Sequence, residues 1–307
     1  MRISVVIPTY NMAEYVCEAV ESALSQTLAP IEVIVVDDGS TDDTRQRLKC
    51  YGGRILYLFQ ENAGLSAARN TGMRAARGDW IALLDSDDAF FPSKLEKQGE
   101  LIRMKPSVRL VGCGGLLASV RPAMVEAGAD QAALGGKPRR LTPAQIVCMC
   151  PFAPSSALVH RSLPDQQLLF DESLSAVEDL DYWLRVSESH EVWCLPDILM
   201  WQRMRPGSMS RDPERMRTNH ERVLLRAFEQ QSSLRNRRWI RGVAYARMHY
   251  SLTMIYREAG ASAKALVHTF LTVLNNPFCY RGRPWLTLLR ILVDWPRRRM
   301  LPGGEDG

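Results

Sequence analysis

The sequence has no Cys-x-x-Cys pair, although 7 of its 307 residues are cysteines. The thiols stand at 17, 50, 113, 148, 150, 194 and 279, an odd number without zinc-type spacing. A disulfide framework and a zinc site are excluded, and buried thiols in a reducing compartment are expected. No run reaches the roughly 18 uncharged apolar residues that a membrane-spanning helix needs. Residues 1–10 are apolar, but they contain Pro8 and lead to no small-residue cleavage site, so they do not read as a signal peptide. A cytoplasmic protein is expected. The five histidines (160, 190, 220, 249, 268) have no ligand spacing with Cys or carboxylate, which assigns them to surface or core. Gly112-Cys113-Gly114-Gly115 fails the dinucleotide fingerprint, because Leu117 stands where its last glycine belongs.

With 46% hydrophobic and 24% charged residues the chain is neither disordered nor fibrous. Its length suits two domains or one large α/β domain with an appendage. The net charge of +5 is unevenly spread. Residues 1–210 carry 21 Lys and Arg against 26 Asp and Glu, whereas residues 211–307 carry 18 against 8. The division predicted is 1–100, 101–210 as the second half of the same α/β domain, and a basic helical region over 211–307.

The first hundred residues alternate strand and helix patterns. Strands are predicted at 3–7, 31–36, 55–59 and 80–84, the second nearly continuous in its hydrophobicity, as a strand covered on both faces is. Helices are predicted from Asn11, with Glu14 as capping-box partner, and over 65–76. Such alternation means βαβ units and a mostly parallel, doubly wound sheet. Ligands of these sheets bind beyond the carboxyl ends of the strands. The clusters Thr9–Asn11, Asp37–Ser40 and Asp85–Asp88 each sit at such an end. Further on, strands are predicted at 109–113, 156–159 and 192–195 and a helix at 179–189. Residues 118–143, rich in Ala, Gly and Pro, read as an excursion. Helices are predicted at 213–230, 237–258, 262–274 and 284–294, with a hairpin turning at Gly260.

Five clusters carry chemistry. Asp85 and Asp87, at i and i+2 on a turn, suit a shared hard cation, Mg²⁺ or Mn²⁺, that neutralises a leaving diphosphate. The alternative is a solvated acidic turn. Asp37 and Asp38 suit hydrogen bonds from a nucleobase or a ribose hydroxyl, or else helix capping by Asp38 or Ser40. Arg69, one turn into a helix of small residues, suits a phosphate, or is simply solvated. Glu178 and Asp179 open a helix, where one of them suits a general base, or both merely complement the helix dipole. Arg203 and Arg205, before Pro206-Gly207, either close over a diphosphate or form a basic turn.

Taken in order, residues 4–11 (SVVIPTYN), 36–42 (VDDGSTD), 67–72 (AARNTG), 85–88 (DSDD) and Glu178-Asp179 resemble the motifs of family 2 glycosyltransferases. The resemblance covers about residues 1–210 and is dense over 1–92. It implies a GT-A fold and inverting transfer of a sugar from a nucleotide diphosphate, a UDP-sugar, to a hydroxyl. It implies that Pro8, Thr9 and Tyr10 contact the nucleotide, with Tyr10 stacked on the base. Asp37 or Asp38 would bond the base edge, and Arg69 the base or phosphate. Asp85, Ser86 and Asp87 would form the Asp-x-Asp turn that holds metal and ribose-diphosphate, beside Glu178, with Asp179 as catalytic base. One departure stands out: where many relatives have a histidine, this chain has Arg205. A guanidinium cannot ligate metal, and a direct phosphate contact is its natural substitute.

The chemistry fits the residues themselves. Displacement at an anomeric carbon has oxocarbenium character. A metal-stabilised diphosphate leaves without protonation, so one base opposite it is sufficient and the configuration inverts. The acceptor expected is a glycan or a lipid-linked glycan of the cell surface. The segment 281–299, with arginines outside Trp285 and Trp295, reads as an interfacial helix for an anionic membrane's inner face, or as a helix packed on its neighbours. Two other readings are a non-catalytic nucleotide-sugar-binding scaffold and a sugar-phosphate nucleotidyltransferase. The second is disfavoured, because Pro8-Thr9-Tyr10-Asn11 lacks a Gly-rich triphosphate loop. No nucleic-acid partner is expected, since no reading motif accompanies the basic tail.

Overall fold

The computed structural model describes residues 1–119, 136–205, 208 and 211–276. They divide into two compact units, one of residues 1–146 and 150–206, the other of residues 147–149 and 207–307. The excursion read at 118–143 is described only in part, and the helix read at 284–294 lies outside the described residues.

The first unit is built on a nine-stranded sheet. Its elements are β1 (Ile3–Thr9), α1 (Val16–Leu24), β2 (Glu32–Asp37), α2 (Thr44–Leu48), β3 (Leu56–Phe59), α3 (Leu65–Ala75), β4 (Trp80–Leu83), β5 (Ala89–Phe90), α4 (Lys94–Met104), β6 (Val108–Ala118), β7 (Arg139–Leu141), the first turn of α5 (Pro143–Met149, residues 147–149 counting with the second unit), β8 (Leu158–His160), α6 (Ser162–Asp165), α7 (Glu178–Ser189) and β9 (Glu191–Arg203). The strand order is β3-β2-β1-β4-β8-β6-β9-β5, with β7 on β9. β1 to β4 are parallel, as their helical crossovers require. Beyond them the sheet is mixed: β8 runs antiparallel to β4 and β6, while β6 and β9 pair in parallel through bulges.

Sequence pattern explains the parallel half. β1 is buried along its whole length, and Val16, Ala19, Val20 and Ala23 bury one face of α1. α3 approaches β1 and β2 through Gly72, where a Cβ would stand 2.3 Å from Val6 Cγ1. The glycines at 112–115 have a packing role too. A Cβ on Gly112 would meet Phe152 at 2.4 Å, and one on Gly115 would meet Met200 Sδ at 2.5 Å.

One helix start differs from expectation. α1 begins at Val16, not Asn11, and Asn11 adopts φ 52°. Its side chain is taken by the neighbouring turn, accepting from Thr41 N at 2.8 Å, while its own N–H donates to Ser40 Oγ. Asparagine tolerates this left-handed conformation, so a residue read as a cap instead stitches two strand-end loops together. The expectation of buried thiols is met by Cys113 and Cys194, whereas Cys50 is exposed.

In the second unit, α8 (Pro213–Gln230), α9 (Arg238–Glu258) and α10 (Ser262–Asn275) are described. α8 is capped by Asp212, which accepts from Arg215 N. α9 and α10 form the hairpin, turning at Gly260 with φ 73°. His249 and His268 meet between them, Nδ1 to Nδ1 at 2.9 Å. Among the described residues, no helix is long and apolar enough to cross a membrane.

Candidate active site

The carboxyl ends of β1 and β2 lie side by side, with Thr9 opposite Asp37 in register, and Leu84 N donates to Val6 O one strand over. The polar clusters at 9–11, 37–40 and 85–88 thus leave one edge of the sheet. Tyr10 is exposed, and Thr9 is buried with its hydroxyl unpartnered among the described residues.

Asp37 and Asp38 are both buried and both engaged. Asp37 accepts from Tyr57 Oη at 2.6 Å and from Ser40 N at 2.8 Å. Asp38 accepts from Gln60 Nε2, Ala63 N and Gly64 N at 2.7–2.9 Å. Neither Asp38 nor Ser40 caps α2. Asp38 instead clamps the loop that enters α3, and Asp37 braces the edge strand.

At the end of β4 a tight turn, Asp88 N to Asp85 O at 3.0 Å, presents the half-buried Asp85 and Asp87 and buries Ser86. Asp85 Oδ1 accepts from Arg69 Nη2 at 2.6 Å, and Glu178 Oε1 accepts from Arg69 Nη1 at 2.6 Å. Arg69 is only 1% exposed and lies over Phe170. The solvated alternative for Arg69 is thereby corrected: the fold encloses it, and each of its terminal nitrogens holds a carboxylate. Such short charge-assisted pairs compensate the burial of all three groups.

Glu178 and Asp179 open α7 immediately after Val177, which is held at φ 61°. A left-handed β-branched residue is strained, and here the strain directs the start of α7. Tyr182 stacks on Phe170 at 4.4 Å, Trp183 packs on Phe152, and Asn70 pairs with the backbone of Phe170 in both directions. The Asp179 carboxyl is pushed up to about 7 by burial and by the adjacent Glu178, against the pull of Leu180 N–H and Arg69. That value suits a group that accepts a proton near neutral pH.

The other side of the turn meets the exit of β9. Arg205 Nε donates to Asp87 Oδ2 at 2.6 Å. Arg203 Nε donates to the Asp87 carbonyl, its Nη2 pairs with Glu18, and its guanidinium lies between Tyr15 and Trp201. Asp88 is buried, accepting from Ser155 Oγ at 2.5 Å and from Arg203 N at 3.0 Å. Burial and the neighbouring Asp85 and Asp87 push its carboxyl well above the carboxylate range. Glu18, Tyr57, Asp88, Ser155 and Phe170 were not singled out in the sequence. Only Asp88, inside the acidic turn, carried any sequence signal.

The predicted residues thus gather in two groups on one sheet edge. Asp85, Asp87, Arg69, Glu178, Arg203 and Arg205 form a connected network, with Asp179 next to Glu178 in the chain, and Asp37 and Asp38 form the other group, at the end of β2. The two turn carboxylates are hard oxygen donors. Each keeps one oxygen without a described hydrogen-bond partner, so the donor set suits a divalent cation. Among the described residues no group of three His, Cys, Asp or Glu could hold one.

A sheet of this topology, with an acidic turn beyond its fourth strand, has a fold similar to that of GT-A glycosyltransferase structures. Staphylococcus aureus TarS 1-349, in complex with UDP, aligns at TM-score 0.62 and 19% identity, over 100% of this chain and 94% of its own. A mannosyltransferase from Pyrobaculum calidifontis, in complex with GDP-Man and Mn²⁺, aligns at TM-score 0.61 and 20% identity, over 95% and 86%. At these identities the likeness speaks of fold alone. Residues 4–112 match the model of glycosyl transferase family 2. An uncharacterized glycosyltransferase of Rickettsia prowazekii is 31% identical over 210 residues, 66% of this chain and 64% of the relative. Chondroitin synthase of Escherichia coli is 43% identical over 97 residues, 31% of this chain and 14% of its own. Over residues 4–112 the chain is similar to the family 2 glycosyltransferases. It spans somewhat less than two thirds of the length of the first Rickettsia relative.

Proposed function

We propose that the protein is an inverting glycosyltransferase that moves a sugar from a nucleoside diphosphate to a hydroxyl of a cell-surface glycan or its lipid-linked precursor. The observation that carries this reading is the Arg69 bridge. By holding Asp85 with one arm and Glu178 with the other, it fixes the start of α7, and hence Asp179, beside the acidic turn. Asp179 takes the proton of the incoming hydroxyl, and the diphosphate leaves from the opposite face. Pro8, Thr9, Tyr10, Asp37 and Asp38 receive the nucleoside, and Ser86, Arg203 and Arg205 flank the phosphates. A divalent cation, Mn²⁺ or Mg²⁺, held by Asp85 and Asp87 would neutralise the leaving charge.

A uridine donor is the preferred reading, supported by the UDP and UDP-GlcNAc complexes of TarS. The chondroitin synthase relative supports a glycan acceptor. We extend the reading to peripheral association with the inner face of the cell membrane. The segment assigned to that contact, 281–299, lies outside the described residues. Support comes from α10, where Val267, Phe270 and Leu274 are 56–68% exposed at helical spacing.

The test is a screen of UDP- and GDP-sugars for thermal stabilisation and nucleotide release, with and without Mn²⁺. Donor-dependent release that Asp179→Asn abolishes is expected. Binding without release, unchanged by Asp179→Asn, would make the chain a scaffold.

A further inference from the structure

Asp85 and Asp87 leave one turn, and each meets a guanidinium, but the two guanidiniums are not equivalent. Arg69 is enclosed and double-locked, because Glu178 holds its other arm. Arg205 is 22% exposed, lies two residues beyond the end of β9, and has Asp87 as its hydrogen-bond partner among the described residues. Among the described residues, Arg203, the other guanidinium bonded to this turn at Asp87, has its side chain engaged with Glu18 and the Asp87 carbonyl. Asp88 does not compete for Arg205, being turned to Ser155 and Arg203 N.

We propose that Arg205 is a resident counter-ion: it competes with a divalent cation for Asp87 until the donor diphosphate draws the guanidinium away. This rests on reading Asp85 and Asp87 as the donor-side carboxylates. The physical basis is charge. A guanidinium keeps its proton throughout the working pH range, so a cation approaching Asp87 meets a fixed positive charge at 2.6 Å. An imidazole at that position can give up its proton near neutral pH and offer a lone pair. A half-buried pair is also screened less than a surface one, so the competition survives physiological salt. A diphosphate offers the guanidinium two anionic groups, which favours exchange of partners. The occupancy of Asp87 and the arrival of donor are therefore coupled, and the coupling is reciprocal.

The experiment is titration of Mn²⁺ alone, followed by the electron paramagnetic resonance signal of the free ion, on the full chain. Arg205→Gln keeps the size and polarity of the side chain and is the principal variant. Arg205→Ala is the second, and urea unfolding checks that both are folded. Removing the charge is expected to tighten Mn²⁺ binding at least tenfold, and adding Asp87→Asn to Arg205→Gln is expected to reverse that gain. Affinity within twofold of the parent in both folded variants overturns the counter-ion inference. If Asp87→Asn abolishes that unchanged binding, the donor-side reading of Asp87 survives. If Asp87→Asn changes nothing, both fall. In a second arm, metal-free UDP is expected to bind Arg205→Gln at least tenfold more weakly than the parent, and equal affinity counts against the exchange of partners.

Discussion

Arg69 donates to Glu178 at 2.6 Å across 109 positions of sequence, and the same guanidinium holds Asp85 at 2.6 Å. One fully buried cation therefore ties the helix that bears the candidate base to the acidic turn proposed to face the donor. The two carboxylates raise its pKa against the desolvation that would lower it, so it stays charged. Arg69→Ala leaves two buried carboxylates uncompensated, and breaking a buried pair in this way costs about 3–5 kcal/mol. Arg69→Lys keeps the charge but presents a point instead of a fork, and it should recover only part of that loss. Urea unfolding of the three proteins gives the order parent, Arg69→Lys, Arg69→Ala. Equal midpoints would remove the bridge from the account.

Asp38 provides a second, more local test. Its carboxylate satisfies two backbone N–H groups, of Ala63 and Gly64, and the Gln60 amide. In Asp38→Asn one acceptor oxygen becomes a donor facing a donor. The expected loss is about 1–3 kcal/mol, the range for leaving a buried hydrogen-bonding group unpaired. Amide hydrogen exchange should show faster exchange at Ala63 and Gly64, with the β1 amides little affected.

Much of this was legible in the sequence, and what was not has a common cause. The strands of the parallel half were readable because burial on both faces leaves continuous apolar runs, as in Val33–Val36. The acidic turn and the start of α7 were readable because strand ends and helix starts carry their own polar signals. Long-range choices were not readable. Arg205 meets Asp87 across 118 positions, and Ser155 reaches Asp88 across 67, from a segment without periodicity. The start of α1 was misplaced because Asn11 has the composition of a cap, while its side chain serves a loop of another strand. The burial of Arg69 was not readable either, since an arginine on an Ala-rich helix looks solvated until the fold encloses it.

Gly72 predicts a packing effect that can be reversed. A Cβ there would lie 2.3 Å from Val6 Cγ1 and 3.2 Å from Val36 Cγ2. Val6 is a fully buried residue of β1 and has no room to retreat. Gly72→Ala should destabilise by about 1–3 kcal/mol, as overpacking does. Trimming the partner in a Val6→Ala, Gly72→Ala double variant should recover part of that loss, giving a clear non-additivity in a double-mutant cycle. Additive losses would mean that the clash is not the cause.

The pH dependence of Asp179 separates a base from a structural carboxylate. Burial and Glu178 place its titration near 7, above the roughly 3.9 of a free aspartate. Proton abstraction needs the ionised form, so kcat/KM for transfer should rise through an apparent pKa near 7 and level off above it. Stability should move the other way. A carboxyl whose folded pKa is raised contributes stability below its unfolded pKa, and this is lost as pH rises from about 4 through 7. Asp179→Asn cannot ionise, so it should flatten both profiles. It should also lower kcat by about 10²–10⁴, the usual contribution of a general base, and leave donor binding near that of the parent. A transfer profile that keeps its inflection near 7 in Asp179→Asn would assign the proton to another group. Opposite slopes of rate and stability, removed by one substitution, are not expected of a carboxylate that only caps a helix.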